Sequence, residues 1–419
     1  MITRRPHFLV INRFDDDCGD YQRFAEGIDC RLAFITLAAG ACVIDQRAAL
    51  ETIIVPDLDL CTIRAQARGL IERHGPFAGV VGISEHDVLA TALLRAELGL
   101  PGWASELVRN FRDKPLMKSA VASAGLRVPR FIELYDGVDT DSILDRTGLP
   151  LVLKPRSEGA SRGVVVIRSV TQLRSALAGV ELGSYECEEY VAGTVIHVDG
   201  SRRGAEFTFV SASAYINTCL DFAHGIPLGS ALLDPGPGRQ SAIEFAGRCL
   251  DALDLRDGPF HLELIAPPAG GLVFLEVGIR PGGSEIAGLH KDLFNVDLFG
   301  DAFRATLGLP PMTSPGLIAT PRGGGWVAVP EPRPLPCRVL ARTSLAGKIP
   351  ELYAEMIPPV GTIFRGDGGY DHIGGRFRLR GRDRASVTRA AREIMRRYRI
   401  VAEPWPAATL DPAPAGARE

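Results

Sequence analysis

The segment FHLELIAPPAGGLVFLEV, residues 260–277, has the pattern of two antiparallel strands joined by a turn. Residues 260–265 alternate between apolar and polar side chains like a half-buried strand, and residues 272–277 form a second, mostly apolar strand. The Pro-Ala-Gly-Gly sequence at 268–271 predicts the turn between them. A hairpin folded about this turn has Ile265 opposite Phe274 and Glu263 opposite Glu276, with Cβ atoms about 4.5–5.5 Å apart.

Two glutamates that face each other on paired strands indicate a cation site, because carboxylates this close repel each other. A divalent cation between Glu263 and Glu276 removes the repulsion, and hard oxygen ligands suit magnesium. Arg280 follows Glu276 by four residues and shares its face if the strand continues that far. The alternative is a hairpin whose polar side faces solvent, and this segment alone does not separate the two.

A lysine followed by a glycine-containing loop indicates a phosphate contact. Lys154 ends the apolar run at 151–154 and enters PRSEGASRG, residues 155–163. Glycines let backbone N–H groups approach phosphate oxygens, and lysine supplies a point charge. The loop is not a Walker A sequence, and an ordinary hairpin loop with a surface lysine is the alternative.

The short segment Glu188-Glu189-Tyr190-Val191 combines acidic and apolar residues. In an extended conformation its backbone could offer C=O and N–H groups to the edge of an adenine. In isolation it is equally compatible with an exposed edge strand.

The composition is that of a globular protein with more than one domain. The chain has 419 residues, of which 46% are hydrophobic and 23% charged, and a net charge of −3. This charge indicates binding neither to nucleic acid nor to an anionic membrane. The longest nearly apolar run, at 32–44, is too short to cross a bilayer, and the first residues lack a signal-peptide pattern, so we expect a cytoplasmic protein. The eight cysteines contain no C-x-x-C pair, which argues against a zinc site.

Strands alternate with helices in the first part of the chain, which predicts a parallel α/β sheet. Apolar runs at 8–11, 33–37, 52–55 and 77–82 are the expected strands, and residues 85–98 have helical spacing. A helix is predicted over 114–124, ended by Gly125, and a strand–turn–strand unit over 151–167. Prolines at 330, 332, 334 and 336 indicate a linker, and a last helix is predicted over 386–398.

The order and spacing of these motifs resemble the ATP-grasp superfamily. The likeness covers roughly residues 5–400 and is carried by Arg112-Asp113-Lys114, Lys154 with its loop, Glu188 to Val191, Glu263, Glu276 and Arg280. Ser84-Glu85 and Gly99-Leu100-Pro101-Gly102 extend it into the leading region. It implies an α/β protein with the ATP-grasp fold, an N-terminal Rossmann-like pre-ATP-grasp domain and a small C-terminal α+β domain.

The resemblance also implies domain bounds. The pre-ATP-grasp αβ domain is expected over 1–112, and the ATP-grasp domain over 113–325 with a lid subdomain at about 126–195. The C-terminal α+β domain is expected over 326–404. Residues 405–419, rich in Pro, Ala and Gly, are expected to form a disordered tail.

Individual roles follow from the same resemblance. ATP is expected to contact Lys114, Lys154, Ser157, Gly159, Ala160, Ser161, Gly163, Glu188, Glu189 and Val191. Glu263 and Glu276 are the expected ligands of one or two Mg²⁺ ions, for which Mn²⁺ can substitute. Arg280 and Lys154 are the expected catalytic residues, with Arg280 stabilising the acyl-phosphate and tetrahedral states. Many family members have an acidic ribose contact where this chain has Val195, and an asparagine where it has Gly278, so another group must bind the ribose and one metal ligand is missing.

Two further segments, GTVIHVDG at 193–200 and RPGG at 280–283, are similar to the L-amino acid ligase branch of the superfamily. That branch joins a carboxylate to an amine. The implied reaction is amide-bond formation through an acyl phosphate, with ADP and phosphate as products and small molecules such as amino acids as substrates. The expected substrate contacts are His224, Arg280, Gly282 and Gly283, and a homodimer is compatible with the resemblance.

Two other functions stay open at this point. One is a biotin-carboxylase-like enzyme that activates bicarbonate, and the other is a nucleotide-binding protein without catalysis. The complete set of Lys, Glu, Glu and Arg favours turnover over mere binding. His261 precedes Glu263 by two residues and shares its strand face, so it is either a group that supports the site or a hydrogen-bonded core histidine.

Overall fold

The N-terminal region contains a parallel sheet of four strands, as the alternation of strands and helices predicts. The computed structural model describes residues 5–312, 323–366 and 373–406. In this region the strands are β1 (His7–Asn12), β2 (Arg31–Thr36), β3 (Glu51–Ile54) and β4 (Gly79–Val81), and the helices are α1 (Tyr21–Phe24), α2 (Leu60–His74), α3 (Val88–Glu97) and α4 (Ser105–Asn110). The sheet order is β3-β2-β1-β4, with every pair parallel.

The predicted helix at 85–98 begins later than expected. Helix α3 starts at Val88, because the backbone turns at Ser84, whose carbonyl oxygen accepts hydrogen bonds from the N–H groups of Asp87 and Val88. Glu85 therefore lies in a turn at the end of the N-terminal sheet, where its side chain is available to the following domain.

An antiparallel sheet of four strands follows and lies within the range expected for the lid. Its elements are α5 (Lys114–Ser123), β5 (Phe131–Glu133), α6 (Thr140–Thr147), β6 (Leu151–Pro155), β7 (Val165–Ile167), α7 (Val170–Leu177) and β8 (Tyr185–Glu189). The strand order is β5-β8-β6-β7. Asp113 caps α5 by accepting from the N–H of Leu116, which fixes where this helix starts and therefore where Lys114 lies.

The largest sheet has eight strands. The elements of this part of the chain are β9 (Thr194–Arg203), β10 (Glu206–Tyr215), α8 (Cys219–Ala223), β11 (Leu228–Leu232), α9 (Pro237–Ala252), β12 (Gly258–Ala266), β13 (Val273–Gly278), α10 (Ile286–Phe294) and α11 (Leu298–Thr306). The chain continues with β14 (Gly324–Val329), β15 (Cys337–Arg342), β16 (Leu352–Met356), β17 (Ile363–Phe364), β18 (Gly375–Arg380), α12 (Arg384–Arg397) and β19 (Ile400–Pro404). The sheet order is β13-β12-β9-β10-β11-β14-β18-β16, and β17-β15-β19 form a smaller sheet.

The hairpin β12–β13 confirms the predicted pairing of Glu263 with Glu276. The predicted pairing of Ile265 with Phe274 is wrong, since Ile265 pairs with Val273 and Leu264 with Phe274. A bulge between Glu263 and Leu264 shifts the register by one residue. The strand also ends at Gly278, so Arg280 does not continue the face of Glu276 as the extended-strand prediction assumed.

Three strands of the expected C-terminal domain, β14, β16 and β18, belong to the eight-stranded sheet. The expected boundary at 326 falls inside β14, while the four prolines at 330–336 lie between β14 and β15. The domain bounds remain predictions, as does the tail, because residues 407–419 lie outside the described residues. Over the described ranges, no helix combines the length and the apolar character needed to cross a membrane.

Candidate active site

Glu263 and Glu276 face each other across the last two strands of the large sheet. Glu263 is buried, with 9% of its side chain exposed, because β12 is covered by β9 on its other edge. Glu276, on the edge strand β13, has 36% of its side chain exposed and lies 3.5 Å from the Lys114 ammonium. One carboxylate of the pair is thus fixed in the protein interior, and the other is open to the cleft.

Lys114 joins this carboxylate pair to the glycine-containing loop. Its ammonium donates to the carbonyl oxygen of Glu158 at 2.6 Å, and its backbone N–H donates to the carbonyl oxygen of Arg156 at 3.1 Å. Arg112 makes a similar contact, donating to the carbonyl oxygen of Ser157 at 2.6 Å. Two cations that could hold phosphate are therefore occupied by carbonyl oxygens at the start of the loop.

The loop itself turns tightly. Ala160 and Ser161 both have left-handed backbone conformations, with φ of 54° and 58°, and Gly163 has a φ of 68°. A Cβ at Gly163 would lie 2.9 Å from the Pro155 ring, so glycine is needed there for space as well as for conformation. A cavity of about 350 Å³ opens beside the loop and is lined by His86, Pro155, Glu158, Arg162, Gly163 and Tyr185.

Lys154 lies in a buried network of four charges. Its ammonium is 2.7 Å from Glu188 and 3.9 Å from Glu186. A second lysine, Lys118, donates to both carboxylates at 2.6 Å and has no exposed side-chain surface. Burial raises the pKa of Glu186, whereas for Glu188 the attraction of Lys118 and Lys154 outweighs burial and lowers the pKa to about 2.

Lys118 is a residue that the sequence reasoning missed. It follows Lys114 by four residues on α5, so both lysines lie on one face of the helix, and this spacing was the available signal. In this network the side chain of Glu188 binds two lysines, a role that the predicted adenine hinge does not include. Glu189 likewise binds Arg127 at 2.9 Å and Arg130 at 3.1 Å. The N–H groups of Glu189 and Tyr190 donate to the carbonyl oxygens of Arg130 and Pro150, so within this segment the adenine contact stays a prediction for Val191.

Arg280 forms an ion pair with Glu85 of the N-terminal region instead of facing Glu276. Glu85 also binds Arg112, and although burial opposes ionisation, the two arginines lower its pKa to about 2. A Cβ at Gly278 would lie 2.9 Å from Glu85 Oε2. The glycine that replaces the family's asparagine therefore leaves space for this bridge between domains.

A series of buried polar side chains, Tyr215, His261 and Asp199, lies beside Glu263. The sequence analysis singled out only His261 among them. Tyr215 donates to Glu263 Oε1 at 2.9 Å, and His261 Nε2 is 3.4 Å from the same oxygen. His261 Nδ1 is 2.7 Å from Asp199. Burial disfavours the charged imidazole, but Asp199 outweighs it and raises the pKa of His261 to about 9. Of the two alternatives for His261, the contact with Glu263 supports the first.

The expected substrate contacts differ in their exposure to solvent. His224 is exposed at the end of α8. Gly282 is buried, and a Cβ there would lie 2.6 Å from Asp199 Oδ1, so its first neighbour belongs to the series of polar side chains beside Glu263. Gly283 is partly buried beside it. Their roles toward a substrate remain predictions.

The chain is similar to known proteins over most of its length. No family model matches the chain. The chain is 25% identical over 287 residues to an L-arginine-specific L-amino acid ligase of Bacillus subtilis, and this alignment covers 66% of this chain and 68% of that protein. In fold it is similar to the crystal structure of an L-amino acid ligase from Bacillus licheniformis, with a TM-score of 0.76 and 20% identity, covering 95% of this chain and 99% of that one.

A third relative represents a different chemistry. The biotin carboxylase domain dimer of Hydrogenobacter thermophilus 2-oxoglutarate carboxylase, solved with MgADP, ADP and bicarbonate, has a TM-score of 0.68 and 15% identity. The likeness covers 94% of this chain and 90% of that one. At this identity the similarity concerns the fold, and the chemistry must be inferred from the site itself.

Proposed function

We propose that the chain is a member of the ATP-grasp superfamily and an ATP-dependent carboxylate–amine ligase that forms an amide bond and releases ADP and phosphate. The observation that carries this proposal is the opposed pair Glu263 and Glu276 with the Lys114 ammonium 3.5 Å from Glu276. The carboxylates that would bind a cation and the ammonium that would bind a phosphate therefore lie next to each other. Small-molecule carboxylates and amines, in particular amino acids, are the proposed substrates, in keeping with the L-amino acid ligases that the chain resembles.

The carboxylate pair suits magnesium. The contacts of Glu263 with Tyr215 and His261 fall on Oε1, which leaves Oε2 for a cation, and Glu276 is partly exposed opposite it. Oxygen ligands at a water-accessible edge are the environment that magnesium bound to a nucleotide prefers. When bound there, magnesium would neutralise negative charge on the β- and γ-phosphates. The proposal includes one ion on this pair, with Mn²⁺ as a substitute, and leaves the second ion open because Gly278 offers no ligand.

The lysines would bind and orient the nucleotide. Lys114 must leave the carbonyl oxygen of Glu158 to reach a phosphate, and Lys154 must share its ammonium between Glu188 and a phosphate. Because Lys118 also binds Glu186 and Glu188, those carboxylates keep one counter-cation when Lys154 turns to the nucleotide. The glycine-containing loop, with Ser157, Gly159, Ala160, Ser161 and Gly163, would then close over the phosphates with its N–H groups.

In the reaction, an oxygen of the substrate carboxylate attacks the γ-phosphorus, and the bond to the β-phosphate oxygen breaks to give an acyl phosphate and ADP. The amine of the second substrate then attacks the acyl carbon and loses a proton, and the phosphate leaves with its electron pair. Arg280 would stabilise the oxyanion of the tetrahedral state, for which its guanidinium must be shared between that oxygen and the carboxylate of Glu85. The closed loop would exclude water and so protect the acyl phosphate from hydrolysis.

The proposal is tested by a screen for ADP and phosphate release with pairs of amino acids, followed by mass spectrometry of the products. We expect ADP release that needs both partners and a product whose mass equals the two substrates minus water. Formation of AMP and pyrophosphate would overturn the proposal. ADP release that needs bicarbonate and biotin would instead support the carboxylase that the fold likeness allows.

Two further parts of the proposal concern the state of the protein in the cell. We place it in the cytoplasm, where its ATP is made, and all eight cysteines are free thiols in keeping with a reducing compartment. A homodimer is also proposed, as one fold relative was solved as a domain dimer. Sedimentation of the purified protein tests the dimer.

A further inference from the structure

Asp199 on β9 is a fully buried carboxylate that accepts hydrogen bonds from two histidines. His197 Nδ1 lies 2.5 Å from Oδ2, and His261 Nδ1 lies 2.7 Å from Oδ1. The three residues meet because β9 and β12 are paired, with His261 opposite Asp199. A buried ionised carboxylate is costly unless it is hydrogen-bonded, and here both oxygens are used.

The outer nitrogens of both rings also have partners. His197 Nε2 is 2.6 Å from Ser230 Oγ, and His261 Nε2 is 3.4 Å from Glu263 Oε1. Tyr215 donates to the same oxygen of Glu263 at 2.9 Å. His261 therefore stands between two carboxylates, with one ring nitrogen toward each, and it can donate to both when it carries both protons.

The three residues have a composition that could hold a transition metal, but their geometry suits protons better. Separations of 2.5 Å and 2.7 Å between nitrogen and oxygen are lengths of hydrogen bonds to a charged acceptor. Two ligands that share one metal at about 2.0–2.1 Å from each would lie further apart. The hydrogen-bonded chain also accounts for every ring nitrogen of His197 and His261.

We propose that Asp199 and His261 are positioning residues that hold the Glu263 carboxylate for the magnesium nucleotide. Together with Tyr215 they hold Oε1, which leaves Oε2 for a cation shared with Glu276, the residue opposite on the hairpin. This inference rests on the proposed function, because it assigns a role relative to the cation of that function. Groups that orient a metal ligand in this way affect the affinity for the ion without touching it.

The loop after Arg280 packs on the same chain of groups. Gly282 approaches Asp199 so closely that a Cβ would lie 2.6 Å from Oδ1 and 2.8 Å from the Ile286 side chain. The carboxylate that orients His261 is thus in contact with the segment that carries Arg280. Asp199 therefore lies against both His261, on the strand of Glu263, and the loop that follows Arg280.

The test measures magnesium affinity apart from turnover. The melting temperature of the full-length protein is followed with saturating ADP while Mg²⁺ is raised from zero in the presence of chelator. The variants are His261→Leu, His261→Gln and Asp199→Asn. His7→Gln is the matched control, since His7 is another buried histidine, whose ring nitrogen contacts the carbonyl oxygen of Gly75 in the N-terminal region instead of Glu263. Metal analysis of the purified protein accompanies the titration.

We expect ADP alone to stabilise all variants as it does the original protein. The half-saturating Mg²⁺ concentration should rise by about 10–100-fold in His261→Leu. This concentration should rise less in His261→Gln, whose amide can still donate to Glu263, and in Asp199→Asn. Because Asp199→Asn keeps the shape of the side chain, it provides the test if His261→Leu does not fold. The control should titrate like the original protein.

Two results would overturn this inference while leaving the proposed function intact. One is an unchanged half-saturating Mg²⁺ concentration in all three variants, together with a lower melting temperature. This result would mean that Asp199 and His261 have only a structural role. The other is a tightly bound transition metal in the purified protein at one equivalent that is lost in His261→Leu. Absence of any Mg²⁺-dependent shift in the original protein is a different outcome, since it would overturn the proposed function and this inference together.

Discussion

The ammonium of Lys118 lies 2.6 Å from Glu188 Oε2 in a part of the protein that solvent does not reach, with 0% and 4% of the two side chains exposed. The same ammonium binds Glu186, and Lys154 binds Glu188 from the other side. Two positive and two negative charges balance in a buried space between α5 and the four-stranded sheet β5-β8-β6-β7. A nucleotide that draws Lys154 away leaves Lys118 to hold both carboxylates.

Replacing Lys118 with Met should therefore harm both stability and nucleotide binding. Breaking a buried ion pair by removing one partner costs about 3–5 kcal/mol of unfolding free energy, because the other charge is left uncompensated. Lys154 would then be held by both glutamates, so the KM for ATP should rise more than kcat falls. Urea unfolding and steady-state kinetics measure the two effects.

The double variant Lys118→Met/Glu186→Gln is the control for charge balance. Glu186 is the suitable partner to neutralise, because burial raises its pKa and its Oε2 has no hydrogen-bond partner among the described residues. The double variant should recover most of the lost stability. Equal destabilisation of the single and double variants would mean that shape, and not charge, is what Lys118 supplies.

The loop 157–163 should exchange its amide hydrogens more slowly when nucleotide binds. In the free protein its first carbonyl oxygens accept from Arg112 and Lys114, and the nucleotide phosphates must take over these cations. The loop is then held by its own N–H groups on phosphate oxygens. Hydrogen exchange with and without a non-hydrolysable ATP analogue measures the change, and helix α12, which packs on β11, β14 and β18, serves as the internal control. Equal protection of the loop in both states would argue against a lid.

Replacing Arg280 with Lys should lower amide synthesis by about 100-fold while the affinity for ATP changes little. Lysine keeps the charge but loses the planar set of donors that now binds Glu85. Arg378→Lys is the matched control, since Arg378 also pairs with a buried glutamate, Glu285, but lies on β18 outside the cleft. Initial rates of product formation and nucleotide titrations separate the two effects. Synthesis at near the original rate in Arg280→Lys would remove Arg280 from the oxyanion role.

The sequence predicts those parts of the site that depend on local patterns. The pairing of Glu263 with Glu276 follows from the two-residue period of strands and a short turn, and both are local. The bulge beside Glu263 leaves no such pattern, so the pairing of Ile265 was predicted wrongly. Lys114 is found because it begins α5, and Lys154 because it closes the apolar run of β6, one residue before that strand ends.

Contacts between distant segments escaped prediction. Arg280 and Glu85 are 195 residues apart, and their ion pair depends on how the N-terminal region packs on the central sheet. Lys118 lies in the interior, whereas a lysine in an amphipathic helix is expected at the surface. Asp199 meets His261 only through the pairing of β9 with β12, two strands that are separated by β10, β11 and two helices in the chain.

Replacing Glu276 with Gln tests the cation site most directly. The change keeps the shape of the side chain and removes one charge from the pair that faces across the hairpin. Repulsion between the two carboxylates is then relieved, but the attraction of Lys114 at 3.5 Å is lost as well. Since Glu276 is partly exposed and the two effects oppose each other, the stability of the metal-free protein should change by less than about 0.5 kcal/mol. Turnover should fall by orders of magnitude, because magnesium would no longer be held against the phosphates by two carboxylates.

Magnesium with an ATP analogue should raise the melting temperature of the original protein and do so much less for Glu276→Gln. Glu244→Gln, an exposed glutamate on α9, is the control and should behave like the original protein in both assays. Thermal melts with and without magnesium nucleotide, run beside a turnover assay, give the answer: a Glu276→Gln variant that keeps its turnover and its ligand-induced shift would show that these glutamates form an ordinary polar hairpin face.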